Sequence, residues 1–169
     1  MKELDTNTWT GTQIVAARIQ LEQDAALLLG RLLFSYSNLE SATDLCLVWV
    51  DNGRDLDAWT RRIERMNFAA KLGLLASHAA SQARADTRAA YATWLARAHL
   101  VRERRNVLAH GRLAVNVSRG TLSAVLSRAT SVALEVVEFP LCDLECLVGE
   151  ADHLQRELGN LRSTFPLST

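Results

Sequence analysis

The spacing of apolar residues constrains this chain most, because its period changes twice along the sequence. From about Thr12 to Val50 one seam carries Leu21, Ala25, Leu28, Leu32, Leu39 and Cys46. A second carries Leu29, Leu33, Tyr36, Glu40, Thr43, Leu47 and Val50 in steps of four and three, as a helix packed in a bundle requires. Asp51-Asn52-Gly53 supplies a stop, and residues 57 to 66 read as a short helix or an irregular link. Asn67 is the expected N-cap of a helix over Phe68 to Ala80, with Phe68, Leu72, Leu75 and Ala79 inward. Asp86 is expected to cap a third helix running to His110, with Gly111 in the left-handed position that closes it.

Past Gly111 the pattern alternates. Leu113, Val115 and Val117 predict a strand, Ser118-Arg119-Gly120 a turn, Leu122 to Leu126 a return strand and Val132 to Phe139 a third. Helical spacing then resumes. Pro140 suits the first turn of a last helix, on which Leu141, Leu144, Val148, Ala151, Leu154, Leu158 and Leu161 form one stripe. The expected fold is mainly α: a four-helix bundle with a small antiparallel β-meander, residues 112 to 139, between the third and fourth helices. A single domain over 1 to 169, with residues 1 to 11 as a polar lead-in, suits a chain of 169 residues.

Composition narrows the function classes. No apolar run approaches the ~20 residues of a membrane span, and the start of the chain, Met1-Lys2-Glu3-Leu4-Asp5, is unlike a secretory signal. Three cysteines without paired zinc-ligand spacing fit a reducing, cytoplasmic setting. Cys142, Cys146 and His153 share one helix, but their spacing lacks two ligand pairs, so buried thiols are expected and no metal or cofactor. No glycine-rich phosphate loop or Gly-x-Ser-x-Gly elbow is present. The 19 basic and 19 acidic residues cancel overall yet segregate. Residues 1 to 53 carry three basic and seven acidic groups, 54 to 128 fourteen and five, and 129 to 169 two and seven. A basic middle between acidic ends suits an anionic partner, a self-complementary assembly, or simply a solvated arginine-rich surface.

The segment Arg102-Glu103-Arg104-Arg105-Asn106-Val107-Leu108-Ala109-His110 concentrates the chemistry. On a helical wheel, Arg105 falls in the middle of a stripe made by Tyr91, Trp94, Leu95, Ala98, Val101 and Leu108. Asn106, His99 and His110 form a polar edge beside it. A guanidinium in that place must meet a carboxylate, line a cleft or bind an anion, because an unpaired buried charge is prohibitive. Glu40, on the seam between Tyr36 and Thr43, offers the carboxylate, and an arginine oriented by it can still face a phosphate. His110 has a purely structural alternative, bonding the last carbonyls of its own helix.

Arg105-Asn106-Val107-Leu108-Ala109-His110 resembles the Arg-x4-6-His motif of HEPN domains (higher eukaryotes and prokaryotes nucleotide-binding), with the polar residue after the arginine. Tyr36-Ser37-Asn38-Leu39-Glu40 on an early long helix and Phe68-x-x-Lys71-Leu72 are similar to the context of that motif. The β-meander before the last helix resembles a variant among uncharacterised bacterial relatives, and the likeness covers about residues 25 to 160. It implies a HEPN-like four-helix bundle and a homodimer with two motifs facing across a composite cleft. It implies a metal-independent ribonuclease, of a toxin-antitoxin or defence system, in which His110 is the general acid/base, Arg105 stabilises phosphate charge and Asn106 orients either. Arg102, Arg104, Arg112 and His99 would then contact flanking RNA. The branch of the family whose toxin is nucleotidylated carries a tyrosine two residues after the histidine; Arg112 stands there here. The alternative is a non-catalytic dimeric module for a protein or nucleotide partner, with Glu40–Arg105 as a structural pair.

Overall fold

A computed structural model describes residues 8–126 and 134–167. Five helices and one three-stranded sheet follow in the order α1 (Gly11–Val48), α2 (Leu56–Ile63), α3 (Phe68–Ala80), α4 (Ala85–His110), β1 (Arg112–Asn116), β2 (Thr121–Leu126), β3 (Glu135–Pro140) and α5 (Leu141–Thr164). The chain is therefore mainly helical with a small antiparallel meander, as the two changes of period require. Val132 and Ala133, expected to begin the third strand, lie outside the described residues.

Local chemistry explains the helix ends. The Asn67 side chain accepts from the Ala70 amide at 2.9 Å, and Asp55 accepts from Ala58 at 3.3 Å, so both caps satisfy an orphan donor of the first turn. Of the two readings of residues 57 to 66, the short helix holds, over Leu56–Ile63. Asp51 turns the chain after α1: its carboxylate accepts from the amides of Gly53 and Arg54 and from Trp59 Nε1. Asn52 and Gly53 there have φ of 61° and 75°, a region that asparagine and glycine tolerate best.

Three expectations about boundaries are corrected. α4 begins at Ala85, so Asp86 lies inside its first turn, where a carboxylate complements the helix dipole. The earlier start follows from Arg88, which reaches back to the carbonyls of Gln82 and Ala83 at 2.7 and 2.8 Å and ties down the entering chain. Gly111 does not take a left-handed conformation. It is small for another reason: a Cβ there would stand 2.8 Å from the Val107 carbonyl oxygen and 2.9 Å from Ala124 Cβ. Pro140 closes β3 rather than opening α5.

The chain forms two compact units. One comprises residues 1–33 and 104–148; the other comprises 34–103 and 149–169. In the first, the sheet has strand order β1-β2-β3, and β2 is central. Leu122 pairs in register with Val115 on one side and Phe139 on the other, while Ala124 pairs with Leu113 and Val137. Leu122, Ala124 and Phe139 are buried, together with Ala25, Leu32, Leu108, Leu144, Leu147 and Val148. The alternation read along β1 does not become full burial: Leu113 is 42% exposed and Val115 half-buried. Leu33, placed on an inward seam of α1, is 57% exposed.

The second unit holds the larger aromatic core. Tyr91, Trp94, Ala98, Val101, Leu154 and Leu158 are buried, as their stripes on α4 and α5 predict. Trp94 donates its Nε1 proton to the Leu154 carbonyl at 2.9 Å, so the largest buried ring leaves no polar atom unsatisfied. Arg97 clamps Glu150 at 2.7 Å and Glu157 at 2.6 Å, fastening α4 to the part of α5 that belongs to this unit. The Tyr36 and Phe68 rings meet edge to face at 5.1 Å.

Candidate functional site

The last turns of α4 belong to the first unit and carry the residues singled out by the sequence. Arg105 is half-buried, and its Nη1 donates to Asn106 Oδ1 at 3.4 Å, a long bond. It lines a cleft of about 200 Å³ whose other walls are Leu29, Leu32, Leu33, Leu108, Ala109 and Leu113. The arginine therefore stands in apolar surroundings, as its place on the wheel predicts. The exposed edges of Leu33 and Leu113 continue that apolar surface outward.

His110 is the last residue of α4 and is exposed. It is not on the wall of the Arg105 cleft. Five helical positions separate the two, which is about 140° around the axis and ~7.5 Å along it. Within one chain, then, the guanidinium and the imidazole leave the helix in different directions. Arg104 and Arg112 are exposed and Asn106 is half-buried. His99 and Arg102 lie on the part of α4 that belongs to the second unit. Both are half-buried, and Arg102 donates to Glu103 Oε1 at 3.2 Å.

Glu40 is engaged in the second unit. Lys71 Nζ donates to Glu40 Oε1 at 2.9 Å and to Asp44 Oδ2 at 2.9 Å, and the lysine side chain is only 7% exposed. Burial alone would lower the Lys71 pKa. The hydrogen bonds and charges of Asp44 and Glu40 outweigh it and hold the ammonium above its ordinary value. Sequence reasoning noted Lys71 only as part of a family pattern and missed its role. The signal was there: Lys71 falls within about 60° of Phe68 on the inward face of α3, and Glu40 and Asp44 are four apart on α1. Glu40 and Arg105 belong to different units, and their pairing stays an expectation.

The expectation of buried thiols at Cys142 and Cys146 is corrected. Cys46 is buried, but Cys142 and Cys146 are exposed. Each lies about 160° from Leu144 on the α5 wheel, so the stripe that buries Leu144 and Val148 turns both thiols outward. Among the described residues, no three His, Cys, Asp or Glu side chains gather as a metal site, and no helix is long and apolar enough to cross a membrane.

No protein-family model, curated protein or solved structure matches the chain.

Proposed function

We propose that this protein is a HEPN-like, metal-independent endoribonuclease acting as a homodimer, its long helices assembled as a four-helix bundle. The observation that carries the reading is the placement of the motif. Arg105 is half-buried in an apolar cleft and held beside Asn106, and His110 follows at the exposed end of the same helix. An exposed imidazole is open to a bound substrate, and a guanidinium on the wall of a cleft can meet a phosphate.

In the proposed reaction His110 takes the proton of an RNA 2′-hydroxyl, and that oxygen attacks the adjacent phosphorus. The bond to the 5′-oxygen breaks, the leaving oxygen takes a proton from water, and the products are a 2′,3′-cyclic phosphate and a 5′-hydroxyl. Arg105 stabilises the charge that develops on the phosphoryl oxygens. Because His110 and Arg105 diverge around α4, the reading requires a second copy to bring one chain's histidine to the other's arginine. Arg104 and Arg112, both exposed, would hold flanking phosphates.

The test is incubation of the protein with mixed RNA in chelator, beside His110→Ala and Arg105→Ala. General acid–base catalysis is worth about 10²–10⁴-fold, so His110→Ala should lose at least ~100-fold while staying folded. Cleavage surviving both substitutions removes the assigned roles. The apolar lining of the Arg105 cleft favours one second reading, a non-catalytic module whose cleft receives a protein partner. Folded wild type that cuts no RNA, yet loses a co-purifying partner on Leu113→Asp, would select it.

A further inference from the structure

We propose that a cavity in the second unit binds a small monocarboxylate with a flat aromatic body. The cavity measures about 390 Å³ and lies between the end of α1, α4 and the C-terminal part of α5, with Trp49, Asn52, Tyr91, Arg162 and Ser163 on its wall. Its volume falls within the range of small-molecule sites, ~300–1,000 Å³. The inference is independent of Arg105 and His110, which belong to the other unit.

Charge selects the head group. Among the described residues, Arg162 is the one charged residue lining the cavity and makes no ion pair, and it is half-buried. The two titratable neighbours supply no counter-charge near neutral pH. Burial pushes the Cys46 thiol up to about 11 and the Tyr91 phenol above its usual range. Tyr91 also commits its proton to the Phe165 carbonyl at 3.2 Å. A guanidinium taken partly out of water without an acidic partner among the described residues favours an anion, and its planar fork matches a carboxylate. One cation, with the neutral Asn52 amide beside it and the Ser163 hydroxyl proton already given to the Asn160 carbonyl at 2.9 Å, suits a single negative charge better than a phosphate dianion.

Packing selects the body. Trp49 is 49% exposed although it stands at the cavity wall, and Gly53 is packed beneath it, since a Cβ there would lie 2.7 Å from the indole ring. The positive φ of Asn52 and Gly53 permits that close approach. A fixed indole face with Val50 and Leu167 nearby offers a flat apolar surface of the kind that stacks an aromatic ring.

Isothermal titration of the full chain with indole-3-acetate, its neutral amide and adenosine monophosphate tests the assignment. The acid should bind saturably and the amide about tenfold or more weaker, the scale of one charge-assisted hydrogen-bonded pair. Arg162→Met should lose about the same factor and Arg162→Lys less of it. Gly159 also lines the cavity, and a Cβ there meets nothing within 4 Å, so Gly159→Leu should block binding without unfolding α5. Equal binding of acid and amide, wild-type affinity in folded Arg162→Met, tighter binding of the nucleotide, or no binding of any probe would each overturn the proposal.

Discussion

Lys71 shows how a single side chain can be fixed by charges that composition averages away. It is enclosed against Phe68, Leu72 and Leu75 on the inward face of α3, and Glu40 with Asp44 meets it there. Lys71→Met should cost about 1–2 kcal/mol, less than a fully buried pair because both carboxylates keep partial access to water. Urea unfolding measures it, and adding Glu40→Gln with Asp44→Asn should recover part of the loss. His78 gives a pH signature. It packs edge to face on Trp59 at 5.6 Å, and burial followed by the Arg62 charge holds its pKa below the ordinary histidine value. The unfolded chain therefore binds the proton more readily, so stability is full above about pH 6.5 and falls as pH drops through the lowered folded value. His78→Phe should flatten that acid slope in a series of thermal melts.

At the scale of elements, the start of α3 and the sheet were legible, while the starts of α4 and α5 and the reason for Gly111 were not. Asn67 was readable as a cap because an asparagine stands immediately before an apolar helical run. Asn67→Ala should cost about 1 kcal/mol in denaturant midpoint converted to free energy. Gly111 was misread because a glycine after a helix most often signals a left-handed turn, whereas this one admits the close approach of Ala124 on β2. The two explanations differ in what they forbid. A left-handed glycine would accept asparagine, but here both Gly111→Ala and Gly111→Asn should destabilise, by about 1–3 kcal/mol, as overpacking does. A urea titration in which Asn is tolerated and Ala is not would restore the left-handed reading. The exposure of Leu113 on β1 likewise escaped the sequence, since alternation reports which residues share a face and not whether anything covers it.

Across the whole molecule, part of the segregated charge is used in pairs. The basic middle block supplies Lys71 to Glu40 and Asp44, Arg97 to Glu150 and Glu157, and Arg119 to Glu138, while Arg62 lies over the Trp59 ring. The block's +9 balance is therefore a poor measure of free positive surface. If the ribonuclease reading holds, light scattering should return the mass of two chains, about twice 18.7 kDa, at concentrations where RNA is cut. An active monomer would leave the divergence of Arg105 and His110 around α4 without a remedy.

The order and type of the elements were set by local information: period, caps and breakers act within a few residues, so the chain announces its helices and its meander unaided. Burial of the α4 and α5 stripes was legible for the same reason. Which cation meets which carboxylate, whether Gly111 is small for its own backbone or for a neighbour, and where Arg162 is left facing a cavity depend on residues tens of positions apart. Those were decided only by packing, because the free energy of a buried charge or a close approach is fixed by what stands opposite it.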